Sequence, residues 1–250
     1  MNTENGCRER CDLVNDSLRL IQKTDGLTFG TDALLLAGYV GGGYRSGCEL
    51  GGGSGIISML LLSRRKLGRA VSLEIQEEYA ELTRRNAELN GLSTLVSVCS
   101  DVREYHPERE FDLVYTNPPY MKTDSGKANI SSKKNIARHE VSGDIKDFCL
   151  AAARLLKFGG SFFAVYRPDR LADLFAAMRE ARLEPKRVTF VHADTHSESS
   201  MVLVEARSGG GVGLMLTRPL IIYADSTHKC YTDDMNYIME NGSFPSDFRR

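Results

Sequence analysis

Four of the five residues at positions 51–55 are glycine. The run reads Glu49-Leu50-Gly51-Gly52-Gly53-Ser54-Gly55 and is followed at once by the apolar stretch Ile56 to Leu62. A chain that passes from strand to helix through so few residues, with no Cβ to block close approach, builds a strand–glycine–helix joint whose backbone can touch a ligand. Such a joint belongs to a sheet of parallel strands with helices packed on it.

The rest of the chain keeps that rhythm. Apolar and β-branched runs predict strands at 47–50, 70–74, 95–100, 111–116, 160–166, 187–192 and 201–206, and helical periodicity predicts helices at 55–65, 76–90, 145–157 and 169–182. The strand at 47–50 is the poorest, with Gly47 and Cys48 where apolar residues are expected. Ahead of it, 13–22 alternates as one or two short strands, Asp25-Gly26 makes a turn, and Ala33-Leu34-Leu35-Leu36-Ala37 reads as a helix with Thr31 or Asp32 as N-cap. Two places break the pattern: the long polar segment 121–141, and the glycine joint 208–212 before a strand-like run at 214–223. Loops of that length in compact domains are usually functional or mobile.

With 250 residues, 42% of them hydrophobic and 26% charged, the chain can bury a full core. A single domain is expected over 1–250, with an N-terminal extension at 1–40, the core at 45–207 and a last strand and helix in 208–250. No apolar run reaches the roughly 18 to 20 residues of a membrane crossing, and positions 1–20 lack the apolar stretch of a secretion signal, so a cytoplasmic protein is expected. The net charge of −1 gives no long-range attraction to phosphate, so a nucleic acid must be held by a local basic patch. Six scattered cysteines read as reduced thiols. Cys7 and Cys11 lack a second ligand pair, and His192 and His196 follow a strand, so no metal is expected.

The glycine run is not the dinucleotide fingerprint, which needs a glycine where Ile56 stands. Its form is acid-x-Gly-x-Gly-x-Gly, and Glu49 suits a cationic amino-acid group better than a pyrophosphate. Glu74 closes the next strand, where a carboxylate can accept two ribose hydroxyls, and Asp101 follows the third, near an adenine edge. Three acids ending three successive strands, with the glycine loop, outline a nucleoside pocket. The fourth strand runs into Asn117-Pro118-Pro119-Tyr120. Adjacent prolines fix φ and remove two amide donors. A planar amine presented there needs acceptors for its protons, which the Asn117 side-chain oxygen and the Pro118 carbonyl provide, and Tyr120 can stack on a flat substrate.

These residues resemble the class I methyltransferases that use S-adenosylmethionine, in the branch whose Asn-Pro-Pro-Tyr turn acts on exocyclic or amide nitrogens. Gly26-Leu27-Thr28-Phe29-Gly30-Thr31-Asp32-Ala33, the tail 218–223 and Tyr231-Thr232 narrow the resemblance to the bacterial tRNA adenine-N(6) methyltransferases acting on valine tRNA, and extend it over nearly the whole chain. The sequence departs from that pattern at Gly47-Cys48 and at Ala193, where proline is expected after His192. The resemblance implies an α/β fold with a Rossmann-like, mostly parallel seven-stranded sheet, helices on both faces and a short N-terminal strand and helix extension. It implies S-adenosylmethionine held by Phe29, Thr31, Glu49, Gly51, Gly53, Gly55, Glu74, Asp101 and Asn117, and a target base met by Asn117, Pro118 and Tyr120. The expected reaction is in-line methyl transfer to an adenine amino nitrogen of tRNA, without metal or covalent intermediate. A guanine amino group of ribosomal RNA and a protein glutamine amide stay open as other planar amines. Lys122, Lys127, Lys133, Lys134 and Arg138, against Asp124 and Glu140, make the segment after the turn the expected tRNA contact.

Overall fold

In the computed structural model, residues 9–15, 17–24, 29–118 and 143–249 are described. Strands β1 (Glu9–Leu13) and β2 (Arg19–Lys23) pair as an antiparallel hairpin ahead of helix α1 (Thr31–Tyr39). The central sheet then collects β3 (Tyr44–Leu50), β4 (Leu67–Glu74), β5 (Leu95–Cys99), β6 (Phe111–Thr116), β7 (Leu156–Tyr166), β8 (Leu183–His192) and β9 (Ser199–Ser208) in the order β5-β4-β3-β6-β7-β9-β8. Only the pairings of β9 with β7 and β8 are antiparallel among these seven. Two-residue strands β10 (Met215–Leu216) and β11 (Leu220–Ile221) both lie parallel on β8. Helices α2 (Ile56–Ser63), α3 (Glu77–Leu89), α4 (Ile145–Leu155), α5 (Leu171–Glu180) and α6 (Asp233–Asn241) complete the chain.

The sheet divides the buried apolar residues into two clusters. One joins α1 and α2 to Leu18 and Leu20 of the N-terminal extension and to Met235, Ile238, Phe244 and Phe248 at the other end. The other packs Phe148 and Leu155 of α4 and Leu174 and Met178 of α5 against the opposite face. With both faces covered, central strands bury both sets of alternating side chains. In β3 the exception is Gly47, where a Cβ would lie 3.0 Å from Leu67 Cδ2, so the neighbouring side chains already fill its place; the strand runs from Tyr44, three residues earlier than expected.

Several boundaries differ from the sequence-based reading. Gly30, not Thr31 or Asp32, is the N-cap of α1, and its cap has no side-chain hydrogen bond. The helix expected at 145–157 stops at Leu155 because Leu156 already pairs with Phe111. A 3-10 turn at Pro168–Arg170 precedes α5. The strand expected at 214–223 is broken into β10 and β11 by Thr217, Arg218 and Pro219, where a proline cannot donate to the ladder. The end of α1 is held by Lys66: its ammonium, buried, donates to the carbonyls of Ala37 at 2.8 Å, Gly38 at 3.1 Å and Val40 at 2.6 Å, satisfying acceptors that a helix terminus leaves open. No helix among the described residues is long and apolar enough to cross a membrane.

Candidate active site

The parallel register brings the two sequence motifs together. Leu50 of β3 lies opposite Thr116 of β6, and the Thr116 hydroxyl donates to the Leu50 carbonyl at 2.8 Å. The glycine loop that follows Leu50 and the Asn117-Pro118 turn that follows Thr116 are therefore neighbours at the carboxyl ends of adjacent strands, the edge where ligands bind in such sheets.

The loop is built from the α3 side. Gly55 takes φ +78 as it leads into α2, and a Cβ there would stand 2.6 Å from Thr83 Cγ2. The Thr83 hydroxyl donates to the Gly53 carbonyl at 2.8 Å. Asn86, fully buried, donates through Nδ2 to the Ser54 carbonyl at 3.0 Å and to the Ile21 carbonyl at 3.0 Å, while its oxygen accepts from Ile21 N at 2.7 Å. One amide thus ties the glycine loop to the N-terminal hairpin. Gly51 and Gly53 also have left-handed φ, of +70° and +55°. Nothing lies within 4 Å of a Cβ placed on Gly53, so the loop backbone opens there onto space that a ligand can fill.

The three acids play different parts. Glu74, at the end of β4, accepts from Gly53 N at 2.9 Å through one oxygen and from Gln76 N at 2.9 Å through the other. Each carboxylate oxygen has a second lone pair for another donor. Glu49 is 1% exposed and turns beneath the loop, accepting from Ser58 N at 3.2 Å and from the Ser58 hydroxyl, which lies 2.7 Å from the Tyr115 hydroxyl. Burial pushes its carboxyl up to about 8, against the opposing pull of the Ser58 hydrogen bonds. Asp101 is gripped by its neighbour Arg103, whose Nε lies 3.0 Å from both oxygens and whose backbone N donates at 2.8 Å. That pairing holds the Asp101 carboxyl below the usual range.

At the turn, Asn117 Nδ2 donates to Asp32 Oδ2 at 2.8 Å, and Asp32 Oδ1 accepts from Ala33 N at 2.9 Å. Phe29 is half-buried against the core, its amide donating to the Gln22 side-chain oxygen at 2.8 Å, and Thr31 is exposed at the first position of α1. Tyr120, Pro119, Gly26-Leu27-Thr28 and the basic segment from Lys122 to Arg138 lie outside the described residues. His192 ends β8 with Nδ1 2.9 Å from the Ser197 carbonyl, and among the described residues no group of three or more His, Cys, Asp or Glu is placed to hold a metal.

The sequence-based reading missed Thr83, Asn86, Ser58 and the bond made by Asp32. Thr83 and Asn86 look like ordinary polar positions of an amphipathic helix; their spacing of three places them on one face, which was the available signal. Asp32 reads as a capping residue until the turn it faces is known.

Residues 24–181 match the methyltransferase small domain family. A protein of Porphyromonas gingivalis named tRNA1(Val) (adenine(37)-N6)-methyltransferase is 30% identical over 189 residues, 71% of this chain and 73% of that one. A protein of the same name from Flavobacterium psychrophilum is 28% identical over 189 residues, 73% of this chain and 80% of its own. Among solved structures, a predicted O-methyltransferase from Agrobacterium tumefaciens superposes with a TM-score of 0.70 at 23% identity, over 86% of this chain and 98% of that one. A Thermus thermophilus 16S rRNA N2 G1207 methyltransferase, in complex with AdoMet and guanosine, gives 0.56 at 19% identity, over 80% and 50%. Both likenesses are of fold.

Proposed function

The chain belongs to the methyltransferase small domain family, and from that premise we propose that it transfers a methyl group from S-adenosylmethionine to the exocyclic N6 of an adenine in tRNA. The observation that carries the reading is the register of β3 on β6, which sets Asn117 beside the glycine loop. The curated relatives at 28 to 30% identity carry that activity in their names and are matched over about three quarters of their length.

The site fits the cofactor on its own geometry. The space over Gly53 accepts a ligand against the backbone, and the second lone pairs of Glu74 accept the two ribose hydroxyls while Gly53 N and Gln76 N keep the carboxylate in place. Asp101, shared with Arg103, takes the adenine amino group, while Glu49, buried beneath the loop on Ser58, props the loop and does not face the ligand. Bound there, S-adenosylmethionine supplies a methyl group on a positively charged sulfur, which makes that carbon an electrophile.

The chain's part is to bind and orient. A planar amine delocalises its lone pair into the ring, so its nitrogen attacks only when its protons are accepted and it is drawn toward tetrahedral geometry. The Asn117 side-chain oxygen and the Pro118 carbonyl are the acceptors, and Tyr120 is the stacking partner. Holding the reacting atoms near van der Waals contact is worth roughly 7 to 11 kcal/mol, so no strong base is needed and the amine proton leaves to water. The segment from Lys122 to Arg138 supplies the phosphate contacts that a chain of net charge −1 must concentrate locally.

Incubation with labelled S-adenosylmethionine and RNA from cells lacking this protein, followed by nucleoside analysis, tests the reading. Label in N6-methyladenosine of tRNA is expected. Label in N2-methylguanosine, or in protein glutamine when peptide is offered, overturns it.

A further inference from the structure

Asn117 meets Asp32, which comes from the first turn of α1 and from a part of the chain outside the core strands. A side-chain amide has two nearly isosteric ends, and rotating it by half a turn exchanges an acceptor for a donor pair. A carboxylate can only accept, so the Asp32 contact fixes the end facing α1 as the nitrogen. We propose that Asp32 is a positioning residue for methyl transfer: it holds the Asn117 amide in the orientation whose oxygen accepts a proton of the substrate amine. The proposal rests on the reading of Asn117 as the group that meets that amine. With the amide reversed, its two N–H groups would face the two N–H groups of the substrate, donor against donor.

Three features of the local structure place Asp32 in this role. Its second oxygen accepts from Ala33 N at 2.9 Å, so both oxygens are engaged and the carboxylate plane is fixed. The N-cap of α1, Gly30, makes no side-chain bond, and Asp32 meets one open first-turn amide with Oδ1 while Oδ2 stays directed at Asn117. Gly30 makes the room: a Cβ there would stand 2.6 Å from Asp32 Oδ1, although Gly30 has φ −122, an extended conformation any residue can adopt. Space for the carboxylate, not backbone conformation, calls for glycine at this position. Because the clashing atom, Asp32 Oδ1, is the far end of a side chain and not backbone, Gly30→Ala leaves the backbone unstrained and displaces the carboxylate, which makes it a probe of position rather than of folding.

The experiment measures kcat, cofactor Kd and Tm for the wild type, Asp32→Ala, Asp32→Asn, Gly30→Ala, Asn117→Ala and the double variant Asp32→Ala/Asn117→Ala, on the RNA that the wild type methylates. Asp32→Ala is expected to lower kcat by roughly 10- to 100-fold, the scale of a lost charge-assisted hydrogen bond and a misplaced acceptor, with cofactor Kd within about threefold. Asp32→Asn keeps an acceptor oxygen and should recover part of the loss. Gly30→Ala should keep the wild-type Tm yet lower kcat in the same direction. The double variant should be no slower than Asn117→Ala alone, because Asp32 acts through that amide. Unchanged kcat in Asp32→Ala, or losses from the two single variants that multiply in the double, would overturn the proposal.

A second measurement does not depend on turnover. The Asn117 side-chain NH2 signals in a nitrogen-15 spectrum, assigned by their loss in Asn117→Ala, should be displaced in the wild type and collapse to ordinary amide positions in Asp32→Ala. Signals that do not move on removing Asp32 sink the positioning role. If the wild type leaves adenine in RNA unmodified, the functional reading fails, and these signals still decide whether Asp32 orients the amide.

Discussion

The loop after β3 and the turn after β6 are neighbours on one sheet edge, yet they are made of different material. The loop offers backbone: its carbonyls at Gly53 and Ser54 are taken by Thr83 and Asn86, and its amide at Gly53 by Glu74. The turn offers a side chain, Asn117, oriented by Asp32. Backbone cannot be deleted by substitution, only displaced through the groups that prop it, so damage to the loop should come in small graded steps of affinity. A reacting side chain can be deleted outright, so damage to the turn should come as one large step in turnover.

The largest expected effect follows from the turn. Asn117→Ala removes the acceptor that the proposed reaction sets against the substrate amine, and kcat should fall about a thousandfold, the scale seen when one preorganised polar partner of a reacting centre is lost. Isothermal titration with S-adenosylmethionine should meanwhile return an affinity close to that of the wild type. A parallel loss of cofactor binding would erase the contrast between the two regions.

Next comes a pH effect beneath the loop. Burial raises the Glu49 carboxyl to about 8, so between its ordinary value near 4.5 and that raised value the folded protein keeps a proton that the unfolded chain has released. Stability therefore falls as pH rises through this window, by roughly 1.4 kcal/mol per pH unit at most. Glu49→Gln, which keeps the shape and cannot ionise, should show a flatter Tm against pH from 5 to 8 and gain on the wild type toward the alkaline end. Parallel curves for the two proteins would mean that Glu49 is ionised in the folded state.

Glu74→Ala should be milder. It strips the carboxylate that holds Gly53 N and Gln76 N and that is read as the ribose acceptor, and cofactor Kd should rise by roughly 10- to 100-fold. Saturating cofactor should restore most of kcat, since the turn is untouched. A kcat loss that saturation does not repair would place Glu74 in the chemistry and not in binding.

The same contrast explains what the sequence made legible. The strand–helix alternation, the glycine loop and the Asn-Pro-Pro-Tyr turn are local patterns, each fixed by residues within a few positions of one another; β5 and β6 fall where periodicity placed them, and β3 and β4 end there but start three residues earlier. What escaped depends on contacts between distant positions. Asp32 and Asn117 are 85 residues apart, and Asn86 and Ile21 are 65 apart. No local pattern records that a polar residue on a helix is bonded to a loop carbonyl. The single strand read at 214–223 failed for another reason: Thr217, Arg218 and Pro219, the last without an amide to donate, part its two apolar runs at the sheet edge. Glu49 was read as facing the ligand because acids at strand ends usually do, but Ser58, nine residues on, draws its carboxylate under the loop.

The smallest expected effect tests the graded half of the comparison. Thr83→Val is nearly isosteric: it keeps the methyl that packs under Gly55 and removes only the hydroxyl that donates to the Gly53 carbonyl. A neutral hydrogen bond of this kind contributes about 1 kcal/mol, so cofactor Kd should rise by roughly fivefold and kcat at saturation should stay put. Asn86 still holds the next carbonyl, at Ser54, which limits how far the loop can drift. A loss of a hundredfold from so small a change would show that the loop, like the turn, depends on a single prop, and the division between graded affinity and all-or-none turnover would no longer stand.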